Sequence, residues 1–255
     1  MNKSKLIQAI PAWTPAELKL HQQAVKHLEN IFQQVVAHIK NSKPITEEQL
    51  YKFIVDKMIR ARITSVLNWT IVAYGASAAD PHYHFKPGKS RVIKPGQLLL
   101  IDIWGKLNRP DAPYADITQM YYIGENPSAH FQKIWYDIRS TRDLALAYIQ
   151  QYPGVQGQAI HKLAEKHLDS CGHSGLFIHG LGHDLGQDTP HGPGANLNSK
   201  STQPLIPGRG YTIEPGIYKA GHFGARSEIN FFLTKNHKIQ ITTKVQREIE
   251  CIQSL

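Results

Sequence analysis

Cysteine is scarce in this chain: Cys171 and Cys251 are the only two among 255 residues. Two thiols give no disulfide framework, and the expected compartment is the reducing cytoplasm. Long apolar runs are also lacking. No stretch approaches the roughly 20 residues of a membrane span, so no membrane partner is expected. Met1 to Thr14 carries two lysines but no sustained apolar core before a small-residue cleavage site, so no secretory leader is expected. Other chemistries leave no trace: neither Gly75-Ala76-Ser77 nor His173-Ser174-Gly175 completes a Gly-x-Ser-x-Gly elbow, and no glycine-rich loop ends in Lys-Ser or Lys-Thr. Runs of basic residues are missing despite a net charge of +9 and a pI near 9.4. Lysine and arginine are dispersed, without an aromatic-interleaved cluster, and no specific nucleic-acid partner is expected.

What is present suits one α/β-type core: 28.7 kDa, 41% hydrophobic and 19% charged residues. Thr14-Pro15-Ala16-Glu17 reads as a capping box opening a helix that ends near Lys40, with Leu18, Val25, Leu28, Phe32, Val35 and Ile39 as its apolar stripe. Thr46-Glu47-Glu48-Gln49 caps a second helix, with Leu50, Phe53, Ile54, Met58 and Ala61 inward. A third is predicted from about Pro127 to Gln150, breaking at Pro153-Gly154, and a fourth from Gln156 to Leu168.

Five polar side chains interrupt strand-like apolar sequence. Asp102 lies in Leu98 to Trp104, a continuous apolar run bounded by Pro95-Gly96 and Gly105. Asp116 opens the β-prone Tyr114 to Ile123, joined to the first run as a hairpin. The pattern recurs where Glu214, in Gly210 to Tyr218, leads through Lys219 to His222 into Ala225 to Leu233, which carries Glu228. Asp102 to Asp116 and Glu214 to Glu228 are both 14 positions, as duplicated halves would show, and even spacing lets each pair share a face. Singly, each acid is better read as a strand end or a salt-bridge partner. Four together would repel in a core unless cations hold them.

The fifth is His183, in Phe177-Ile178-His179-Gly180-Leu181-Gly182-His183-Asp184-Leu185-Gly186. His179 and His183 have zinc-protease spacing, but the glycines and the lack of a Glu after His179 argue for strand or loop over helix. Most of the 14 histidines are ordinary surface or core residues, and His183 stands out through its company. An oxygen-rich set with one imidazole suits Mn, Co, Fe or Zn better than a thiolate-preferring metal, without ranking the four. His82 and His84 alternate as on a strand but show no third ligand beside them. Cys171 near His173 is better read as a helix-terminal cysteine than as a nucleophile.

In order along the chain, Asp80-Pro81-His82-Tyr83, Asp102, Asp116-Ile117-Thr118, His179-Gly180-Leu181-Gly182-His183, Glu214-Pro215-Gly216-Ile217-Tyr218 and Gly224-Ala225-Arg226-Ser227-Glu228 resemble the motifs of the pita-bread metallopeptidases. That group holds methionine aminopeptidase, Xaa-Pro aminopeptidase, prolidase and creatinase, and the resemblance runs from about Thr46 to the C-terminus. It implies an α+β pita-bread fold: a curved, mostly antiparallel sheet covered by helices, with pseudo-twofold related halves. It implies one catalytic domain over residues 1–255, of which 1–45 form a helical segment rather than a separate N-terminal domain.

By the same resemblance, two divalent metal ions would be bound. Asp102 would chelate one, His183 and Glu214 would hold the other, and Asp116 and Glu228 would bridge them around a hydroxide nucleophile. Glu214 would shuttle the proton. His82 and His191 would line the pocket and act on the scissile amide, with His179, Tyr218 and Arg226 as substrate-binding and aligning residues. The chain departs from the family pattern at Gln119, where an arginine is usual, at Ile229, where an acid is usual, and at His191, which Thr189-Pro190 displaces by one position. The substrate implied is a peptide. Length alone looks like methionine aminopeptidase, whereas the Asp80 to Tyr83 and Glu214 to Glu228 motifs look closer to the Xaa-Pro branch. A catalytically inert binding protein of the same fold is the third reading, and a homodimer is left open.

Overall fold

The computed structural model describes residues 10–42, 44–66 and 70–253, so most of the Met1 to Thr14 reading lies outside the described residues. The chain opens with α1 (Pro15–Asn41) and α2 (Glu47–Arg60), both started by capping boxes. Thr14 Oγ1 accepts from Glu17 N at 3.2 Å and Thr46 Oγ1 from Gln49 N at 3.2 Å, while each glutamate or glutamine side chain accepts from the capping residue's own N–H. These reciprocal bonds satisfy donors that a helix start leaves open. The predicted stripes face inward: Val25, Leu28, Phe32, Val35, Leu50, Ile54 and Met58 are all buried, while Leu18 is partly buried.

The stripes meet a five-stranded sheet. Within it β2 (Thr70–Tyr74), β3 (Leu98–Leu107) and β4 (Ala115–Ile123) are antiparallel neighbours. β1 (Ile63–Thr64) pairs with the far end of β3, and β10 (Glu250–Ile252) adds the one parallel pairing, to β4. Period-two alternation divides the side chains. Leu99, Ile101, Ile103 and Ile117 pack with α1 and α2. Leu98, Leu100 and Met120 pack on the opposite face with Ile134, Trp135 and Ile138 of α3 (Ala129–Gln151) and Leu168 of α4 (Gly157–Ser170). Asp102, Asp116 and Thr118 follow the same even-numbered phase, so the strands carry them on the face turned away from α1 and α2. Each fully buried Leu or Ile contributes roughly 1.5–3 kcal/mol, which is enough to hold the polar phase in place.

The second pair of acids lies in a hairpin that is not continuous. In place of two unbroken strands, β5 (Arg209–Ile213) pairs with β8 (Ile229–Leu233), and β6 (Gly216–Lys219) pairs with β7 (Phe223–Arg226). β9 (Ile239–Ile241) pairs antiparallel with the other edge of β8. The break falls at Glu214-Pro215 opposite Ser227-Glu228, because Pro215 has no N–H to give a ladder. Register nevertheless carries through. Ile213 faces Ile229 and Gly216 faces Arg226, which puts Glu214 across from Glu228. In the first hairpin Asp102 faces Thr118 and Asp116 faces Trp104, so those two acids sit diagonally. Equal sequence spacing thus hides two different registers.

His82 and His84 lie not on a strand but on a turn and extended loop following a short 3₁₀ helix, Gly75–Ala79. Proline at 81 and the Asp80 carboxylate, which accepts from His82 N at 2.9 Å, favour the turn. Residues 179–186 are extended, as expected, and α4 ends with Cys171 as its cap. No helix among the described residues is long and apolar enough to cross a membrane.

Candidate metal centre

All four acids reach one cavity, which measures about 660 Å³. Asp102 comes from β3, Asp116 from β4, and Glu214 and Glu228 from the interrupted hairpin; all four line it, with His183, His179, His191, His82 and Arg226. Asp116, His183 and Glu228 each offer a ligand atom within 4.8 Å of the others. His183 Nε2 lies 3.5 Å from Asp116 Oδ2 and 3.6 Å from Glu214 Oε1.

Backbone pairing aims His183. Its segment runs as an extra edge beside β5: His183 N donates to Thr212 Oγ1, Thr212 N to His183 O and Leu185 N to Gly210 O. The approach is so close that a Cβ at Gly182 would lie 2.2 Å from Thr212 O. Only glycine permits it. His183 Nδ1 lies 3.0 Å from Asp184 O and, facing a carbonyl, must donate. In the neutral ring Nε2 is then an acceptor, pointed at carboxylate oxygens that are also acceptors. Such a set is satisfied by a cation between them.

Electrostatics agree with that. Burial, reinforced by the charges of Asp102 and Glu214, pushes the Asp116 carboxyl well above its ordinary range. Burial and the charges of Asp116, Glu214 and Asp102 do the same to Glu228. Asp102 is also raised by burial, against the opposing pull of the Arg226 guanidinium. Glu214 goes the other way. Burial raises it, but His183, His179, Arg226 and His191 together outweigh that and leave it below its usual value. Its side chain is 15% exposed against 9% for Asp116, which gives the charged carboxylate access to the cavity.

A polar chain backs the acids. The Arg226 guanidinium donates to Asp102 Oδ2, to Thr118 Oγ1 at 2.9 Å and to the Tyr218 oxygen at 3.2 Å. Thr118 Oγ1 in turn donates to Glu228 Oε2 at 2.7 Å. His179 Nδ1 donates to Gly180 O, which leaves Nε2 to accept from Tyr218 O–H at 2.8 Å. Burial lowers the His179 imidazole to about 4, so it is neutral at physiological pH. Asp102 Oδ1 is buried with no hydrogen-bond partner. An orphaned buried carboxylate oxygen, hard-oxygen donors and one imidazole together fit divalent cations.

The remaining histidines line the approach. His191 stacks on His183 with centroids 3.9 Å apart and 10° between planes. Burial and the neighbouring His183 bring its imidazole to about 4. Thr189-Pro190 lie in a bend where Gly186 N donates to Pro190 O, and His191 lines the cavity. His82 is exposed at the rim. Tyr218 stands behind His179, outside the lining.

The sequence profile of metallopeptidase family M24 matches residues 19–235. The chain belongs to metallopeptidase family M24. This M24 protein is 27% identical over 89% of its length to an uncharacterized peptidase, YqhT, of Bacillus subtilis. It is 28% identical over 71% of its length to a Xaa-Pro dipeptidase of Pyrococcus furiosus. It spans 60% of the first relative and 48% of the second. Its structure resembles that of an X-Pro aminopeptidase of Thermotoga maritima, with a TM-score of 0.83, 26% identity, and coverage of 94% of this chain and 64% of that one. The architecture is the α+β pita-bread fold.

Several residues that shape the centre were not singled out by the sequence reading. Thr118 couples Arg226 to Glu228, and Asn230 bonds the backbone of Asp116. Asn230 carried a usable signal, a polar residue inside the apolar Ile229 to Leu233 run, the same signal that marks the acids. The ion pair of Asp184 with Arg209 carried none, because 25 positions separate the two.

Proposed function

We propose that this M24 protein is a dinuclear-metal peptidase that hydrolyses the N-terminal bond of peptides, with preference for proline after that bond. The observation that carries the reading is the meeting of Asp102, Asp116, His183, Glu214 and Glu228 around one cavity, with His183 Nε2 facing two carboxylate oxygens at 3.5 and 3.6 Å. These five would hold two divalent ions, Mn or Co ahead of Zn or Fe. Bound ions there supply Lewis acidity, making a nucleophile available near neutral pH and favouring negative charge on the amide oxygen.

The chain's own groups do the rest. Glu214, the carboxyl held below its usual pKa and the more open to the cavity, takes the proton of the attacking water and passes it to the leaving amine. His191 and His82, which both line the cavity, offer hydrogen bonds to the scissile amide. Neutral His179, held by Tyr218 and Gly180, forms the wall behind, and Arg226 keeps Asp102 oriented. Ile71, Trp104, Pro81 and Pro190 supply apolar walls that suit a pyrrolidine ring. The relatives named as Xaa-Pro dipeptidases of Lactobacillus delbrueckii and Pyrococcus furiosus support the same preference. Both cysteines are free, which supports a reducing cytoplasm as the setting.

The test joins elemental analysis to hydrolysis assays with Mn or Co. The parent is expected to hold about two ions per chain and to cleave Xaa-Pro peptides faster than Met-Ala peptides. The reverse ranking would reassign it to initiator-methionine removal. Metal without turnover on either substrate would identify an inert binding protein. Glu214→Ala should lose turnover far beyond any loss of folding.

A further inference from the structure

We propose that Asp184 and Arg209, neither of which lines the cavity, are positioning residues that lock His183 and His191 into one unit. The inference rests on the metallopeptidase reading, since its effect is exerted on a candidate metal ligand.

Asp184 is fully buried, and Arg209 Nε and Nη2 grip its two carboxylate oxygens, each at 2.6 Å. A bidentate fork of this kind fixes the carboxylate in angle as well as distance. Arg209 is itself held, donating to Pro11 O at 2.8 Å and Leu185 O at 3.3 Å.

From that anchored residue two separate controls run to the centre, one through its backbone carbonyl and one through its carboxylate. The carbonyl of Asp184 accepts His183 Nδ1–H at 3.0 Å, which sets the tautomer and turns Nε2 toward Asp116 and Glu214. The same carbonyl accepts Gly192 N–H at 2.7 Å, and the carboxylate accepts Gly194 N–H at 2.9 Å. Those two bonds clamp the residues immediately after His191. The loop closes so tightly that a Cβ at Gly192 would lie 2.1 Å from Asp184 Oδ2, and one at Gly194 2.6 Å from its Cγ. The clamp therefore returns the far end of the Thr189-Pro190 bend to Asp184, and His191 lands stacked on His183.

The experiment titrates metal-free protein with MnCl2 by calorimetry and records the visible absorption of the Co(II) form. Arg209→Lys keeps the charge and loses the fork; it should weaken Mn(II) binding by about ten- to a hundredfold, the usual effect of losing a residue that orients a ligand. It should also change the intensity of the Co(II) bands, which report coordination geometry. The double variant Asp184→Asn/Arg209→Gln leaves no lone buried charge and decides the matter should Arg209→Lys not fold. Gly194→Ala, which keeps both charges but intrudes on the carboxylate, should shift the bands the same way. Parent-like affinity and spectra in folded variants, with only a lowered Tm, would overturn the proposal. A parent that binds neither Mn(II) nor Co(II) would instead sink the metallopeptidase reading, and this inference with it.

Discussion

The side-chain amide of Asn230 closes on both backbone polar groups of Asp116: Asp116 N donates to its Oδ1 at 3.0 Å, and its Nδ2 donates to Asp116 O at 2.6 Å. One side chain thus stands in for a strand pairing and joins β4 to β8, the two sheets that carry the acids. Asn230→Ala would leave a buried N–H and C=O unsatisfied. The expected loss is about 2–6 kcal/mol, since each of the two orphaned groups costs about 1–3 kcal/mol. Denaturant unfolding measures it, and a change within a few tenths of a kcal/mol would show that the sheets are joined by packing alone.

Burial pushes the imidazole of His21 from 6.5 down to about 4 while it bonds Tyr114 O and Thr242 Oγ1, both at 2.8 Å. Above the unfolded value both states are neutral. Between pH 6.5 and about 4 only the unfolded chain takes the proton, so stability falls as pH drops through that window and levels off below it. The total is about 3 kcal/mol, because each tenfold weakening of proton affinity on folding is worth about 1.4 kcal/mol. Urea midpoints of His21→Gln should vary less steeply with pH than those of the parent. Equal slopes would contradict the assignment.

Stripping the protein with a chelator should lower its Tm, because gathered carboxylates and an acceptor imidazole nitrogen lose the charge that reconciles them. Returning Mn(II) at a hundred times its Kd should restore about 2.7 kcal/mol per site. Differential scanning calorimetry with and without chelator checks this; identical thermograms would argue against any resident cation.

Tyr218 O–H both supplies His179 Nε2 and receives Arg226 Nη1. Tyr218→Phe removes both bonds without touching a candidate ligand. Metal content should stay at the parent level while kcat/KM on an Xaa-Pro peptide falls by roughly tenfold, the lower end for a group that orients others. A fall in metal content with no change per bound ion would place Tyr218 in metal retention instead.

Much of the architecture was legible because its physics is local. The capping boxes at Thr14 and Thr46 are four-residue patterns, and the stripes of α1 and α2 follow from helical period alone. The acids were conspicuous for the same reason, each being a charge where the strand period calls for an apolar group. The misreadings lie where a neighbouring proline or turn overrides the alternation. His82 and His84 alternate like strand residues, yet Pro81 and Asp80 turn the chain there. The second hairpin reads as unbroken until Pro215 removes a ladder donor.

By itself, the order of residues determined which segments become helix or strand, which faces are apolar, and which acids and histidine must find partners, because those depend on neighbours a few positions apart. Tertiary structure alone decided that Asp102 sits diagonal to Asp116 while Glu214 sits across from Glu228, that Asn230 stitches β4 to β8, and that Arg209 grips Asp184 from 25 positions away. Register and long-range pairing are chosen by the packing of whole faces against one another, a property that no short window of sequence contains.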